Sequence, residues 1–205
     1  MTTILDKPAI ETLEKRFRAN LVNSLSGYKS ANLLGTHSAS GTTNLALISS
    51  VFHVGASPAL VGLLIRPHSV PRHSLENLLE QGCYTLNCVT DEIYTKAHQC
   101  SARYPREQSE FDAVGLDEEY SDCLSAPYVL QAPVKTGLRL VETQTLAVND
   151  TVLVIGEIIE LRIHPDIIGN DGHLNLHKAG LVAISGLDEY HSAHSLGRQI
   201  YAKPG

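Results

Sequence analysis

The chain has 205 residues, 43% of them hydrophobic and 19% charged, with a formal net charge of −6. Such a length and balance suit one globular domain with a sizeable core, and the whole span 1–205 is read as one. The negative charge and the lack of a basic-aromatic patch argue against nucleic acid, and no apolar run reaches the roughly 18 residues that a membrane span needs. The opening residues lack a secretory pattern, so a cytoplasmic protein is expected.

Taken in order, residues 8–21 predict a helix, with Pro8 in its first turn, Leu13, Phe17 and Leu21 along one face, and Glu14 paired with Arg18. Residues 1–24 thus form a helical extension, and 23–30 a loop. Residues 31–36 predict a strand and 37–43 a glycine-serine turn. Two further strands, 44–54 and 59–65, are joined at Gly55-Ala-Ser-Pro58, and their weak alternation predicts burial on both faces. Ser74 is the expected N-cap of a helix over 75–81 that Gly82 ends. A strand follows over 83–89, then a helix over about 92–102 capped by Asp91, with Ile93, Ala97 and Cys100 inward.

The acid-rich stretch 105–126 reads as a solvated excursion with short helical pieces. Two long β-runs, 134–148 and 151–164, flank a hairpin at Asn149-Asp150. A last strand, 180–185, precedes a tail over 186–205. Strands without βαβ alternation predict a mainly β fold, an antiparallel barrel with a few peripheral helices. Cys83, Cys88, Cys100 and Cys123 lack close C-x-x-C spacing, and the histidines lack chelating spacing on an extended chain. Free thiols and no metal site are expected.

The charge map singles out one region: no carboxylate stands between Glu14 and Glu76. Buried strands exclude charge in any case, but the polar loops at 23–32 and 67–74 are acid-free as well, which points to an anion. Arg72, His73 and Ser74 offer guanidinium, imidazole and hydroxyl groups at a helix start, and Arg66 adds a fixed charge nearby. An ordinary capped helix with exposed basic residues is the plainer alternative. Asn44, Ala46, Ser49 and Ser50 are small or polar residues in an otherwise apolar run. They suit a flat, polar-edged ring approaching the main chain, or equally a strand bulge.

Thr43-Asn-Leu-Ala-Leu-Ile-Ser-Ser50, Val54-Gly-Ala-Ser-Pro58, Arg66-Pro67, Arg72-His-Ser-Leu-Glu-Asn-Leu78, Tyr84-Thr-Leu-Asn87 and Lys96-Ala-His-Gln-Cys-Ser-Ala-Arg-Tyr-Pro105 occur in that order. Together with Ser109-Glu-Phe111, Ile155-Gly-Glu157, Gly186-Leu-Asp-Glu-Tyr190 and Tyr201-Ala-Lys-Pro204, they resemble the flavin reductase-like proteins with an FMN-binding split barrel, flavoredoxin included. The resemblance spans about residues 25–204. It implies a homodimer of six-stranded Greek-key barrels with FMN near the dimer interface. It also implies ring contacts at Asn44, Ala46, Ser49 and Ser50, and phosphate contacts at Arg72, His73 and Ser74 with Arg66 close by. Two departures stand out: Leu47 replaces a frequent Pro, and His73 replaces a common Asp.

The expected activity is hydride transfer from NAD(P)H to the flavin and onward electron transfer to an unidentified acceptor. The flavin would carry the chemistry, so no side chain need act as acid or base. Tyr190, His191 and Arg198 would border the nicotinamide side. An FMN-holding electron carrier without nicotinamide turnover is the alternative, and the acidic stretch leaves an interaction module as a third.

Overall fold

The computed structural model describes residues 2–204, so Met1 and Gly205, the outer ends of the expected extension and tail, lie outside it. The chain opens with helices α1 (Lys7–Thr12) and α2 (Lys15–Ser24). A short strand β1 (Lys29–Ser30) leads to β2 (Asn32–His37), β3 (Thr43–Ile48), β4 (Val51–Ala56) and β5 (Ala59–Ile65). Helix α3 (His73–Gln81), strand β6 (Cys83–Cys88), and helices α4 (Tyr94–Gln99) and α5 (Glu110–Val114) follow. Short strands β7 (Glu118–Glu119) and β8 (Tyr128–Val129) precede the long hairpin β9 (Val134–Leu146) and β10 (Thr151–Ile163). A 3-10 turn (Pro165–Ile167) and strands β11 (Val182–Ser185) and β12 (Glu189–Ser192) end the ordered elements.

One antiparallel sheet runs β3-β2-β6-β9-β10-β5-β4. Its two edge strands are consecutive in sequence, separated only by Ser49 and Ser50. The stretch 43–56 is therefore one bent strand: its first half pairs with β2 and its second with β5. Counted that way the sheet closes into a barrel of six strands, the expected architecture. Ser50 holds the bend, because its Oγ donates to the Leu64 carbonyl at 2.7 Å.

Cross-strand partners fill the barrel interior. Leu34 lies opposite Leu86, Tyr84 opposite Leu138 and Val154 opposite Leu63. Leu75 and Leu78 of α3 join this core and close one end. A second core lies outside, where Leu33 and Leu45 meet α4, α5 and the small sheet β1-β11-β12. Period-2 alternation explains the division, since Leu33 and Leu34 face opposite sides of one strand.

Several expectations need correction. The N-terminal helix is two helices, broken at Leu13, whose ψ of 144° is extended. Glu14 accepts from the backbone N–H groups of Arg16 and Phe17, each at 2.9 Å, and so caps α2. The expected pair with Arg18 does not form, because that guanidinium donates instead to the Glu11 carbonyl at 2.7 Å. Helix α2 runs on through residues expected to be loop. Strand β4 is not buried on both faces: Phe52 is 43% and Val54 41% exposed. The link between β4 and β5 is only Ser57-Pro58. Helix α4 is shorter than expected and has no side-chain cap from Asp91, although Ile93, Ala97 and Cys100 are buried as expected. At the β9–β10 turn Asp150 adopts φ 59°, the left-handed region that Asp tolerates.

The acid-rich stretch is largely exposed and holds the short helix α5, as expected, but it is anchored by buried residues. Ser109, Glu110, Phe111, Leu116 and Ala126 are buried. Glu110 Oε2 accepts the Leu45 N–H at 2.9 Å, and Thr43 Oγ1 bonds both Ser109 Oγ and Glu118 Oε1. The segment thus occupies the flank of β3. Burial raises the Glu110 carboxyl above its ordinary value of 4.5, against the Leu45 N–H that favours the anion. A carboxyl whose folded pKa is raised contributes stability below its unfolded pKa and loses it as pH rises through the folded one. Glu110→Gln, which keeps an acceptor for Leu45 and buries no charge, is expected to raise the thermal midpoint at pH 7. Its advantage should vanish below about pH 4.5 in melts across pH.

Candidate functional site

The barrel end capped by α3 brings the two predicted clusters together. In register, Asn44 lies opposite Thr36, and Ala46 opposite Leu34. Asn44 and Ala46 therefore share the inward face of β3 at that end. Asn44 Nδ2 donates to Ser74 Oγ at 3.3 Å, and Asn77 Nδ2 donates to Thr36 Oγ1 at 3.2 Å. These two bonds pin the first turns of α3 to the β2–β3 ladder. Ser74 is not the N-cap. The helix starts at His73, Arg72 stands at the cap position, and no side chain caps the end. The N–H groups of His73, Ser74 and Leu75 have no intrahelical acceptor, because the first helical bond runs from Glu76 N to the Arg72 carbonyl.

Arg72 is half-buried, and its Nε donates to the Pro67 carbonyl at 3.3 Å. Burial, with the guanidiniums of Arg66 and Arg103 nearby, lowers its pKa. Among the described residues none of these three arginines forms an ion pair. Three guanidiniums in electrostatic reach, without a carboxylate partner of their own, make a positive site that lacks its counter-charge. Arg103 was not among the expected site residues. It lies inside a quoted motif, but only the fold shows that the end of α4 approaches the 66–72 loop.

Glu76 is the carboxylate of this turn. Oε1 accepts from His68 Nε2 at 2.9 Å and from the Arg72 N–H at 3.2 Å. Oε2 pairs with Arg106. Burial opposes the charge, but these bonds outweigh it and hold the carboxyl below its ordinary value.

The remaining expected residues are distributed differently. His73 and Ser49 are half-buried and make no side-chain hydrogen bond among the described residues. The Ser50 hydroxyl hydrogen is already committed to Leu64. Tyr190 bonds His98 Nδ1 at 3.0 Å and packs beside Tyr94. His191 bonds Ser185 Oγ at 2.8 Å, and Arg198 pairs with Asp171 at 2.6 Å. No hydrogen bond, ion pair or ring contact among the described residues joins these last three to the Asn44–Ser74 group.

A cleft of about 600 Å³ lies elsewhere, between Leu130–Pro133, Arg162–His164 and Lys178. Two of its three basic groups are paired with carboxylates. Lys135 and Arg162 share Glu119, Arg162 also meets Glu160, and Lys178 Nζ donates to the Asp166 carbonyl. It therefore offers an anion fewer free charges than the α3 turn. No group of three or more metal-ligating side chains occurs among the described residues, and none of their helices is long and apolar enough to cross a membrane. All four cysteines are free. Burial and Glu110 push the Cys100 thiol up to about 12, which makes it a poor nucleophile.

Comparison with known proteins agrees with this architecture. A split-barrel protein from Shewanella frigidimarina NCIMB 400, which carries a provisional flavin reductase designation, is 47% identical. It superposes with a TM-score of 0.95 over 98% of this chain and 100% of its own. Nitrilotriacetate monooxygenase component B from Bacillus cereus is 16% identical, with a TM-score of 0.85 over 98% of this chain and 100% of its own. Flavoredoxin of Desulfovibrio vulgaris (Miyazaki F) is 18% identical, with a TM-score of 0.75 over 86% of this chain and 92% of its own. At such identities the last two show the fold alone. The flavin reductase-like domain matches residues 26–185, and the chain belongs to that family.

Proposed function

We propose that the protein is an FMN-binding oxidoreductase that takes hydride from NAD(P)H and passes electrons to a further acceptor. The observation that carries this reading is the α3 turn, where unpaired guanidiniums, free N–H groups and the Ser74 hydroxyl converge. That donor set fits a phosphate monoester. Arg72, Arg66 and the first turn of α3 would hold the phosphate, with His73 contributing chiefly its backbone N–H. Asn44, Ala46 and Ser49 would border the ring and ribityl chain, and the small side chain of Ala46 leaves room for close approach. Ser50 would act by fixing the bend between β3 and β4. When bound, the flavin supplies hydride acceptance at N5 and onward electron transfer. The residues of the chain orient it, exclude water from one face and balance its phosphate charge.

A flavin carrier without nicotinamide turnover is the second reading, favoured by the flavoredoxin likeness in fold. Mixing the purified protein with FMN and NADH or NADPH, and following absorbance at 340 nm, separates the two. Sustained oxidation above the free-flavin rate supports the reductase. A tightly bound yellow protein without turnover supports the carrier, and a colourless protein that binds no flavin contradicts both. Salt should weaken FMN binding, since the contacts are between charges near the surface.

The outward side chains of β4, Phe52 and Val54, are partly exposed in the single chain. They favour a homodimer, which places a second copy against that face. Sedimentation equilibrium at a dimer mass is the expected result, and a monomer at micromolar concentration would contradict it. A cytoplasmic location is part of the same proposal.

A further inference from the structure

We infer that Glu76 is a positioning residue whose carboxylate, neutralised by Arg106, clamps the 66–72 loop onto α3 and so sets the anion-binding turn. The inference rests on the reading that this turn receives the flavin phosphate.

A carboxylate in the first turn of α3 suits the helix N-terminus, but it competes there with an incoming anion. It ends a segment free of acids and stands within four residues of Arg72, where a bare negative charge would repel a phosphate. Its contacts explain why it is tolerated. The loop from Arg66 to Arg72 has no regular secondary structure. Glu76 Oε1 grips it twice, through His68 Nε2 at 2.9 Å and through the Arg72 N–H at 3.2 Å. Glu76 Oε2 meets Arg106 Nη1. Arg106 Nη2 donates to Asn77 Oδ1 at 3.2 Å, and Asn77 Nδ2 continues to Thr36 Oγ1 at 3.2 Å. A single chain of bonds thus runs from the loop, through α3, to the barrel strand opposite Asn44. The guanidinium of Arg106 offsets the Glu76 charge, so the cations of Arg66, Arg72 and Arg103 remain available to an incoming anion.

The clamp and a plain charge effect predict opposite signs. Removing an acid near an anion site should tighten binding if charge alone acts. If the clamp acts, Glu76→Ala loosens the loop, and the FMN dissociation constant rises about tenfold, the order expected for losing charge-assisted bonds. Riboflavin, which lacks the phosphate, is the control, and its dissociation constant should stay unchanged. Arg106→Met leaves Glu76 less balanced and weakens FMN as well. In the double variant charge alone predicts recovery to the wild-type value, whereas the clamp predicts no gain over Glu76→Ala. Glu76→Gln keeps an acceptor for the Arg72 N–H and should fall between wild type and Glu76→Ala. It also serves if the alanine variant fails to fold.

The measurement is fluorescence titration of FMN and of riboflavin with wild type and these variants. A selective loss of FMN binding supports the clamp. Unchanged or tighter FMN binding in Glu76→Ala or Glu76→Gln overturns it, and so does an equal loss of both flavins. Wild-type protein that binds riboflavin as tightly as FMN would instead overturn the phosphate reading beneath it.

Discussion

Arg72→Ala is expected to weaken FMN binding by about 1.5–3 kcal/mol, roughly tenfold to a hundredfold in the dissociation constant. The side chain is half-buried, its Nε is anchored to the Pro67 carbonyl at 3.3 Å, and no carboxylate pairs with it among the described residues. Two like-charged neighbours, Arg66 and Arg103, raise the electrostatic cost of the apo site. An incoming dianion relieves that repulsion, so losing Arg72 removes attraction without freeing a carboxylate. The loss should be confined to phosphorylated flavin. Riboflavin should bind wild type and variant alike in paired titrations, and higher ionic strength should narrow the difference. An unchanged FMN dissociation constant would remove Arg72 from the site.

Gly35→Ala is expected to cost about 2–4 kcal/mol of stability. A Cβ at Gly35 would lie 2.3 Å from the Pro127 carbonyl oxygen and 2.4 Å from Thr85 Oγ1. Neither can move cheaply. Thr85 Oγ1 donates to the Pro127 carbonyl at 2.6 Å and accepts from Asn87 Nδ2 at 2.9 Å. Asn87 in turn holds the Leu33 carbonyl and the Val129 N–H. Thr85 and Asn87 are fully buried, so a displaced partner finds no water in exchange. The methyl group must either overpack this network or break it. A drop in thermal midpoint on the order of 10 °C follows for a chain of this size. A midpoint within a degree of wild type would show that the Pro127 segment yields without cost.

The barrel is legible because its strands are apolar runs bounded by turn residues, two of them 13 residues long. The run 44–54, read as one strand, is physically one strand: it changes partner at Ser49-Ser50 and so closes the ring. What the sequence could not show is how segments distant in order pack side by side. The 105–126 stretch is mostly solvated, as its acids suggest, but the count hides its anchors. Glu110 points inward to the edge N–H of Leu45, and Phe111 is buried beside it. Composition averages over a helix turn, whereas burial is decided one side chain at a time. Glu14 misled for a related reason. Four-residue spacing to Arg18 suggests an ion pair, but the same carboxylate also suits an N-cap, and unpaired helix N–H groups are the stronger claim.

Local pattern and resemblance nominate Asn44, Ser74 and Arg72, and the fold brings them to one barrel end. Arg103, Glu76 and Arg106 escaped notice because their relevance depends on the α3 turn meeting residues after α4. The acid-free interval ends at Glu76, and that boundary residue proves to face the turn itself. The sequence reading places Tyr190, His191 and Arg198 on the nicotinamide side. Their partners His98, Ser185 and Asp171 place them in other contacts.

The most direct test is a crystal structure of the protein grown with FMN. The phosphate should sit against the first turn of α3, within hydrogen-bonding distance of Ser74 Oγ and the Arg72 guanidinium, with the ring running toward Asn44 and Ala46. Density for the phosphate in the cleft beside Lys135, Arg162 and Lys178, with the α3 turn unchanged, would contradict the account.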